Sequence, residues 1–220
     1  MSDNLIAILP ELWLAIAQTF LMLSIGLTAA VTLGGPLGVL LFLMSPGQTL
    51  AHRPSYLVIS WLVNTVRSFP FIILLVALVP ITRLVVGTSI GPLAASVPLS
   101  VAAIPYLARL VEQSLREVPK GVIEAAQAMG ASELQIVWRV LVLEARSGLI
   151  LALTVLAVSF VSYSAIAGVV GGGGIGDLAI RYGYYRFQTD VMLLTVALLI
   201  ILVQIIQFGG NALAYRLDKR

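Results

Sequence analysis

Residues 117–144 read EVPKGVIEAAQAMGASELQIVWRVLVLE, the only long stretch too polar to sit in lipid although apolar runs flank it on both sides. Its spacing predicts a helix, a glycine turn and a second helix. Pro119 suits a first helical position, where its missing N–H is not needed. Val122, Ile123, Ala126 and Met129 recur at helical spacing, which predicts a short amphipathic helix. Gly130 suits the stop, since a residue without Cβ takes positive φ freely. Ser132 and Gln135 have capping-box spacing, so a second helix starts there. From physics alone, such a hairpin between two membrane spans is either a structured loop or a surface with a job.

The flanks follow from composition. The 220 residues are 60% hydrophobic and 10% charged, whereas soluble domains carry about 25% charged residues. A soluble fold of this size cannot hide so much apolar surface, so an all-α integral membrane protein is predicted, one domain over residues 1–220. With no cysteine there is no disulfide, thiol nucleophile or cysteine metal site, and His52 alone makes no histidine metal centre. No catalytic residue and no metal ligand is assigned. The net charge of +3 implies no nucleic-acid surface. Asp3 and Glu11, with no basic residue before the first apolar run, do not read as a secretory leader.

Leu12–Ala51 carries no charge and is too long for one upright span of about 20 residues. An interfacial helix to about Gln18 and a first span over 19–44 are expected, with Gly34, Gly35, Pro36 and Gly38 permitting close packing and a bend. A second span, 56–81, is kinked at Pro70 and contains Arg67. A charge at that depth is costly. Arg67, with Asn64 and Ser68, therefore lines a path, forms an internal ion pair or snorkels to the surface.

The third span, 93–115, holds Pro98 and Pro105 and should bend or unwind; Arg109, Glu112 and Arg116 can pair on one face near its end. In the fourth, 147–170, Ser159, Ser162, Tyr163 and Ser164 either line a polar path or bond across helices. Gly171–Gly174 and Gly176 lack the Lys-Ser or Lys-Thr of a phosphate loop, so they read as a flexible turn meeting a partner or a dimer axis. The tyrosine-rich Asp177–Asp190 segment is a membrane-boundary belt or a docking surface, and the fifth span is 191–214.

Certain motifs carry a resemblance. Glu124, Ala125, Ala126 and, after three residues, Gly130 resemble the EAA loop of ABC importer permeases. Val140 and Val142 fill the family's later aliphatic places, but Leu143 stands where proline is usual, which puts the following kink in question. NTVRSFPFIILL (64–75) and VGTSIG (86–91) are similar to the methionine branch, and FVSYSA (160–165) to the gate region.

The resemblance implies the type I permease fold with five spans, N-terminus outside and C-terminus cytoplasmic, in a bacterial inner membrane. It implies that Glu124, Ala125, Ala126, Gly130, Ala131 and Ser132 dock in a cleft of a separate ATPase. Arg67, Ser159, Ser162, Tyr163 and Ser164 become path or gate residues. Implied partners are a second copy of the chain, two ABC ATPase subunits and an extracytoplasmic solute-binding protein. ATP and Mg belong to the ATPase, with no cofactor in this chain. The implied cargo is D- and L-methionine or a related amino acid.

Charge placement supports this orientation independently. With the hairpin inside, the inner segments hold nine basic residues (Arg53, Arg109, Arg116, Lys120, Arg139, Arg146, Arg216, Lys219, Arg220) and the outer ones three (Arg83, Arg181, Arg186). That is the positive-inside bias. An importer permease for another solute is one alternative. A stand-alone secondary transporter or channel is another, disfavoured because no buried acid is evident in the spans.

Overall fold

A computed structural model describes the backbone of residues 2–218 and the side chains of residues 8–218. Lys219 and Arg220, counted above as inner cations, and the side chain of Asp3 lie outside the described residues. The described residues contain helices and connections and no strand. In chain order the helices are α1 (Ser2–Ala29), α2 (Gly35–Met44), α3 (Arg53–Ser68), α4 (Phe71–Ala77), α5 (Val79–Val86) and α6 (Pro92–Arg116). There follow α7 (Lys120–Ala128), α8 (Glu133–Ile136), α9 (Val142–Glu144), α10 (Arg146–Val169), α11 (Gly174–Leu178) and α12 (Thr189–Leu217). Wider π-helical turns at Ala30–Gly34, Val137–Leu141 and Ala179–Tyr184 join α1 to α2, α8 to α9, and extend α11.

Among the described residues, four helical segments are long and apolar enough to cross a membrane: Ile8–Met44, Pro92–Arg116, Arg146–Val169 and Thr189–Leu217. The broken pair α3 and α4 makes a fifth if taken as one span.

Three expectations about the spans need correction. No break separates an interfacial helix at Gln18 from the first span, because helix continues through the π turn to Met44. No glycine and no proline lies between Leu12 and Gln18 to stop it. The second span is broken rather than kinked. Pro70 has ψ 130°, outside the helical region, and a proline pushes the residue before it out of the α region. Conversely, α6 stays helical through Pro98 and Pro105. Each proline removes one ladder bond, and the rest of the long helix holds.

The chain divides into two compact units. One comprises Met1–Thr28, Phe69–Ala102 and Ala157–Gln207. Its core includes Ile8, Leu12 and Ala15 against Ile175, Leu178 and Val191. The glycine run lies here and is not a loose turn. Gln18 Oε1 accepts from Gly174 N at 2.8 Å, and Thr19 Oγ1 accepts from Ile175 N at 3.0 Å. A Cβ on Gly176 would stand 2.4 Å from the Ala165 carbonyl oxygen. These glycines are needed for close approach, and the segment is held against α1.

The other unit comprises Ala29–Ser68, Ala103–Leu156 and Phe208–Arg220. Leu41, Val63 and Ala108 form its core with Leu37, Tyr56 and Ile59. Here Gly34 and Gly38 admit the backbone of α6: a Cβ on either would lie 2.5 Å from the carbonyl oxygen of Ile104 or Ala108. Large apolar side chains such as Leu84, Ile205 and Phe208 remain exposed, as lipid-facing positions do.

Candidate coupling hairpin and path residues

The hairpin forms as its sequence predicts, with one shift at its start. Pro119 has ψ 130° and precedes the helix, so α7 begins at Lys120. The helix ends at Ala128 and the chain turns at Gly130, whose φ of +77° is strained for any residue with a Cβ. Nothing lies within 4 Å of where that Cβ would be, so backbone shape and not space demands glycine. The Ser132 N–H donates to Gln135 Oε1 at 2.9 Å, and Gln135 N–H donates to Ser132 Oγ at 3.4 Å. This reciprocal cap starts α8.

The apolar face differs from the expected one. Ile123 and Ala126 are buried, but Val122 is 38% and Met129 82% exposed. Leu134, across the turn, is 70% exposed. Of the six residues assigned to coupling, Ala126 faces inward, Ala131 is half-buried, and Glu124, Ala125, Gly130 and Ser132 are exposed. The elbow thus shows a charge, small residues and two uncovered apolar side chains. Leu134 was missed because it continues the apolar pattern of a buried helix. Beside α7 a cavity of about 190 Å³ is lined by Gln48, Thr49, Lys120, Ile123, Glu124 and Gln127.

Leu143 does not abolish the interruption that a proline there would produce. A π turn at Val137–Leu141 precedes it, and the helix stops at Ala145, with φ −84° and ψ 1°, before α10 starts.

The root of the hairpin is tied by charge. Glu112, its side chain 3% exposed, accepts from Arg109 Nη1 at 2.5 Å and from Arg116 Nη2 at 2.7 Å. The Tyr56 hydroxyl donates to the same carboxylate at 3.1 Å. Arg109 Nη2 also donates to the Ser60 carbonyl at 3.1 Å, the Ser60 hydroxyl at 2.5 Å and Asn64 Oδ1 at 3.0 Å. The expected pairing on one face of α6 is present, and it extends to α3. Glu112 is also a buried acid, which corrects the expectation that the spans hold none. Two guanidinium partners engage its carboxylate oxygens. A polar stripe signalled the link: Tyr56, Ser60 and Asn64 recur every fourth residue on α3.

Arg67 sits in no ion pair among the described residues. Its guanidinium lies over the Tyr106 ring, 5.5 Å from the centroid, and the side chain is exposed in the single chain. In the other unit, Ser159, Ser162 and Tyr163 share one helical face by their spacing. The Tyr163 ring stacks on Phe71 with centroids 4.6 Å apart. Ser164 leaves this group, being buried with its hydroxyl donating to the Val161 carbonyl at 2.8 Å.

A further polar cluster joins α1 to the segment after the glycines. Arg181 bridges Asp177 at 2.7 Å and Glu11 at 3.4 Å. The Tyr182 hydroxyl donates to Glu11, and Arg186 lies over the Tyr182 ring. The bond to Glu11, then burial, pushes the Tyr182 phenol above its ordinary value. The tip beyond, Tyr184, Tyr185 and Phe187, is exposed.

Residues 34–220 match the family described as binding-protein-dependent transport system inner membrane component. The chain belongs to this family. The resemblance read from the hairpin motif is therefore borne out, and the protein is an inner-membrane transport component.

Its similarity to individual members is high. It is 49% identical over 203 residues to a probable D-methionine transport system permease protein MetI of Vibrio cholerae, covering 92% of this chain and 90% of that one. It is 43% identical to the methionine import system permease protein MetP of Bacillus subtilis, covering 96% of each. A solved chain from the MetNI methionine ABC transporter in inward-facing conformations superposes with a TM-score of 0.95, at 43% identity over all of both chains. A chain of an amino acid ABC transporter superposes at 0.75 with 20% identity over 97% of each, which shows the fold alone.

Proposed function

We propose that this chain is the permease subunit of an ATP-driven importer for methionine, in either hand, or a related amino acid. The observation that carries the reading is the exposed elbow Glu124–Ser132, with Met129 and Leu134 uncovered, in a chain so similar to methionine permeases. A helix–glycine–helix elbow of small residues admits another protein's backbone closely. The two apolar side chains supply area that is costly to leave in water. We assign Glu124, Ala125, Gly130, Ala131 and Ser132 to the docking face, and Ala126 to holding that face on the core.

In this reading α3 and α4 form one interrupted span. The spans are then five, residues 1–220 form one permease domain, the N-terminus is outside and the C-terminus cytoplasmic. The partners are a second copy of the chain, two ATPase subunits that hold ATP and Mg, and a solute-binding protein outside. ATP binding closes the ATPase pair, the hairpins follow, and the spans open outward to take solute. Hydrolysis reverses the swing. The Glu112 network joins the hairpin root to α3, which gives that motion a stiff route into the spans. Arg67, Ser159, Ser162 and Tyr163 are assigned to the path.

Two experiments test this. The chain is co-reconstituted with its ATPase, and methionine uptake and hydrolysis are measured for Glu124 and Gly130 variants. Full uptake by variants that still bind the ATPase overturns the coupling role. Orientation is tested with single cysteines at Gln127 and Phe187, since the chain has none of its own. Labelling of Gln127→Cys by an impermeant reagent added outside intact cells contradicts it.

A further inference from the structure

We propose that the cavity where α10 begins and α12 ends holds the headgroup of a phospholipid that carries a phosphate and a primary ammonium. The cavity is about 240 Å³ and is lined by Arg139, Glu144, Arg146, Ser147, Leu217 and Asp218. Its depth is set by two spans at once. Arg146 is the first residue of one apolar span and Leu217 the last of another. In a bilayer that level is where hydrocarbon gives way to headgroups.

The chemistry of the lining is paired. Arg146 Nε donates to the Leu217 carbonyl at 2.6 Å. A guanidinium has five N–H groups in a fixed fork, so both Nη nitrogens remain as donors. Together with Arg139 they suit a phosphodiester, which guanidinium forks bind with two parallel bonds. Glu144 supplies carboxylate oxygens for an ammonium. A headgroup with only negative charge meets that acid unfavourably, and a trimethylated ammonium has no N–H to donate to it. The surroundings fit a lipid and not a free ion: Trp138 is 64%, Leu143 51% and Leu217 37% exposed. An exposed indole at headgroup level is the usual membrane-boundary anchor.

The test uses the full chain, purified in detergent and followed by native mass spectrometry. It is titrated with dioleoyl-phosphatidylethanolamine, the matching phosphatidylcholine and phosphatidylglycerol, and inorganic phosphate. Phosphatidylethanolamine is expected to be retained about tenfold better than phosphatidylcholine, and Arg139→Gln to remove most of that retention. Arg146 is left intact because it also holds the end of α12. Glu144→Gln, an exposed position, is expected to abolish the preference over phosphatidylglycerol while leaving the thermal midpoint unchanged. Equal retention of the three lipids, or no effect of Arg139→Gln, overturns the proposal. Inorganic phosphate displacing the lipid at equal concentration also overturns it, and assigns the arginines to a free anion.

Discussion

Glu112 accepts from Arg109 at 2.5 Å, one helical turn away, with the carboxylate side chain only 3% exposed. That pair fastens two helices, because Arg109 also binds Ser60 and Asn64 on α3 while Tyr56 donates to Glu112. A desolvated charge is tolerable only while its partners stay in place.

Glu112→Gln therefore leaves Arg109 without its counter-charge and is expected to cost about 3 kcal/mol. Arg116→Gln should cost less than about 1 kcal/mol, since the Arg116 side chain is 49% exposed and water replaces it. Chemical unfolding in detergent measures both. Equal losses would contradict the burial argument.

Close helix packing makes a second contrast. Gly34→Ala and Gly38→Ala each press a methyl to 2.5 Å from a carbonyl oxygen of α6. Losses of about 1–3 kcal/mol are expected. Gly35→Ala meets nothing within 4 Å and should be neutral or stabilising by up to about 1 kcal/mol, the helix-propensity gain. Thermal midpoints of the three variants decide the matter. A loss at Gly35 as large as at Gly34 would refute the steric reading.

At the elbow, stability and docking separate. Gly130→Ala should cost about 1–2 kcal/mol through its left-handed backbone, and Ser132→Ala about 1 kcal/mol through the lost cap. Met129→Ser, at an 82% exposed position, should leave the thermal midpoint unchanged. It should lower ATPase co-purification about tenfold, the effect of losing one buried apolar contact. Undiminished co-purification would take Met129 out of the proposed interface.

Alkaline pH probes the Tyr182–Glu11 contact. The folded phenol titrates above its unfolded value of about 10. The neutral form is thus favoured by folding. Its contribution is complete below that unfolded value and is lost as pH rises through the folded one. Thermal midpoints from pH 9 upward should fall less steeply for Tyr182→Phe than for the parent. Parallel curves would mean that the phenol does not titrate with folding.

Much of the candidate site was legible in advance. Gly130, Ser132 and Gln135 act through bonds to their own neighbours, so spacing alone foretold the elbow and its cap. The pairing of Arg109, Glu112 and Arg116 was legible for the same reason, being three and four residues apart. Ser164 stands apart from Ser159, Ser162 and Tyr163 because neighbours in sequence on a helix point in different directions, and its hydroxyl turns to its own backbone. The glycine run was misread because freedom in an isolated chain looks the same as a demand for close approach.

By itself, the sequence determined the membrane class, the polar elbow between apolar spans and the family, because hydropathy and local hydrogen bonding act within a few residues. Only the tertiary structure decided that Glu112 is buried and shared with Tyr56, 56 residues away. It alone decided that Gln18 and Thr19 hold the glycine turn, and that Gly34 and Gly38 exist for α6. These relations join segments far apart in the chain, and no local pattern encodes which distant backbone will arrive.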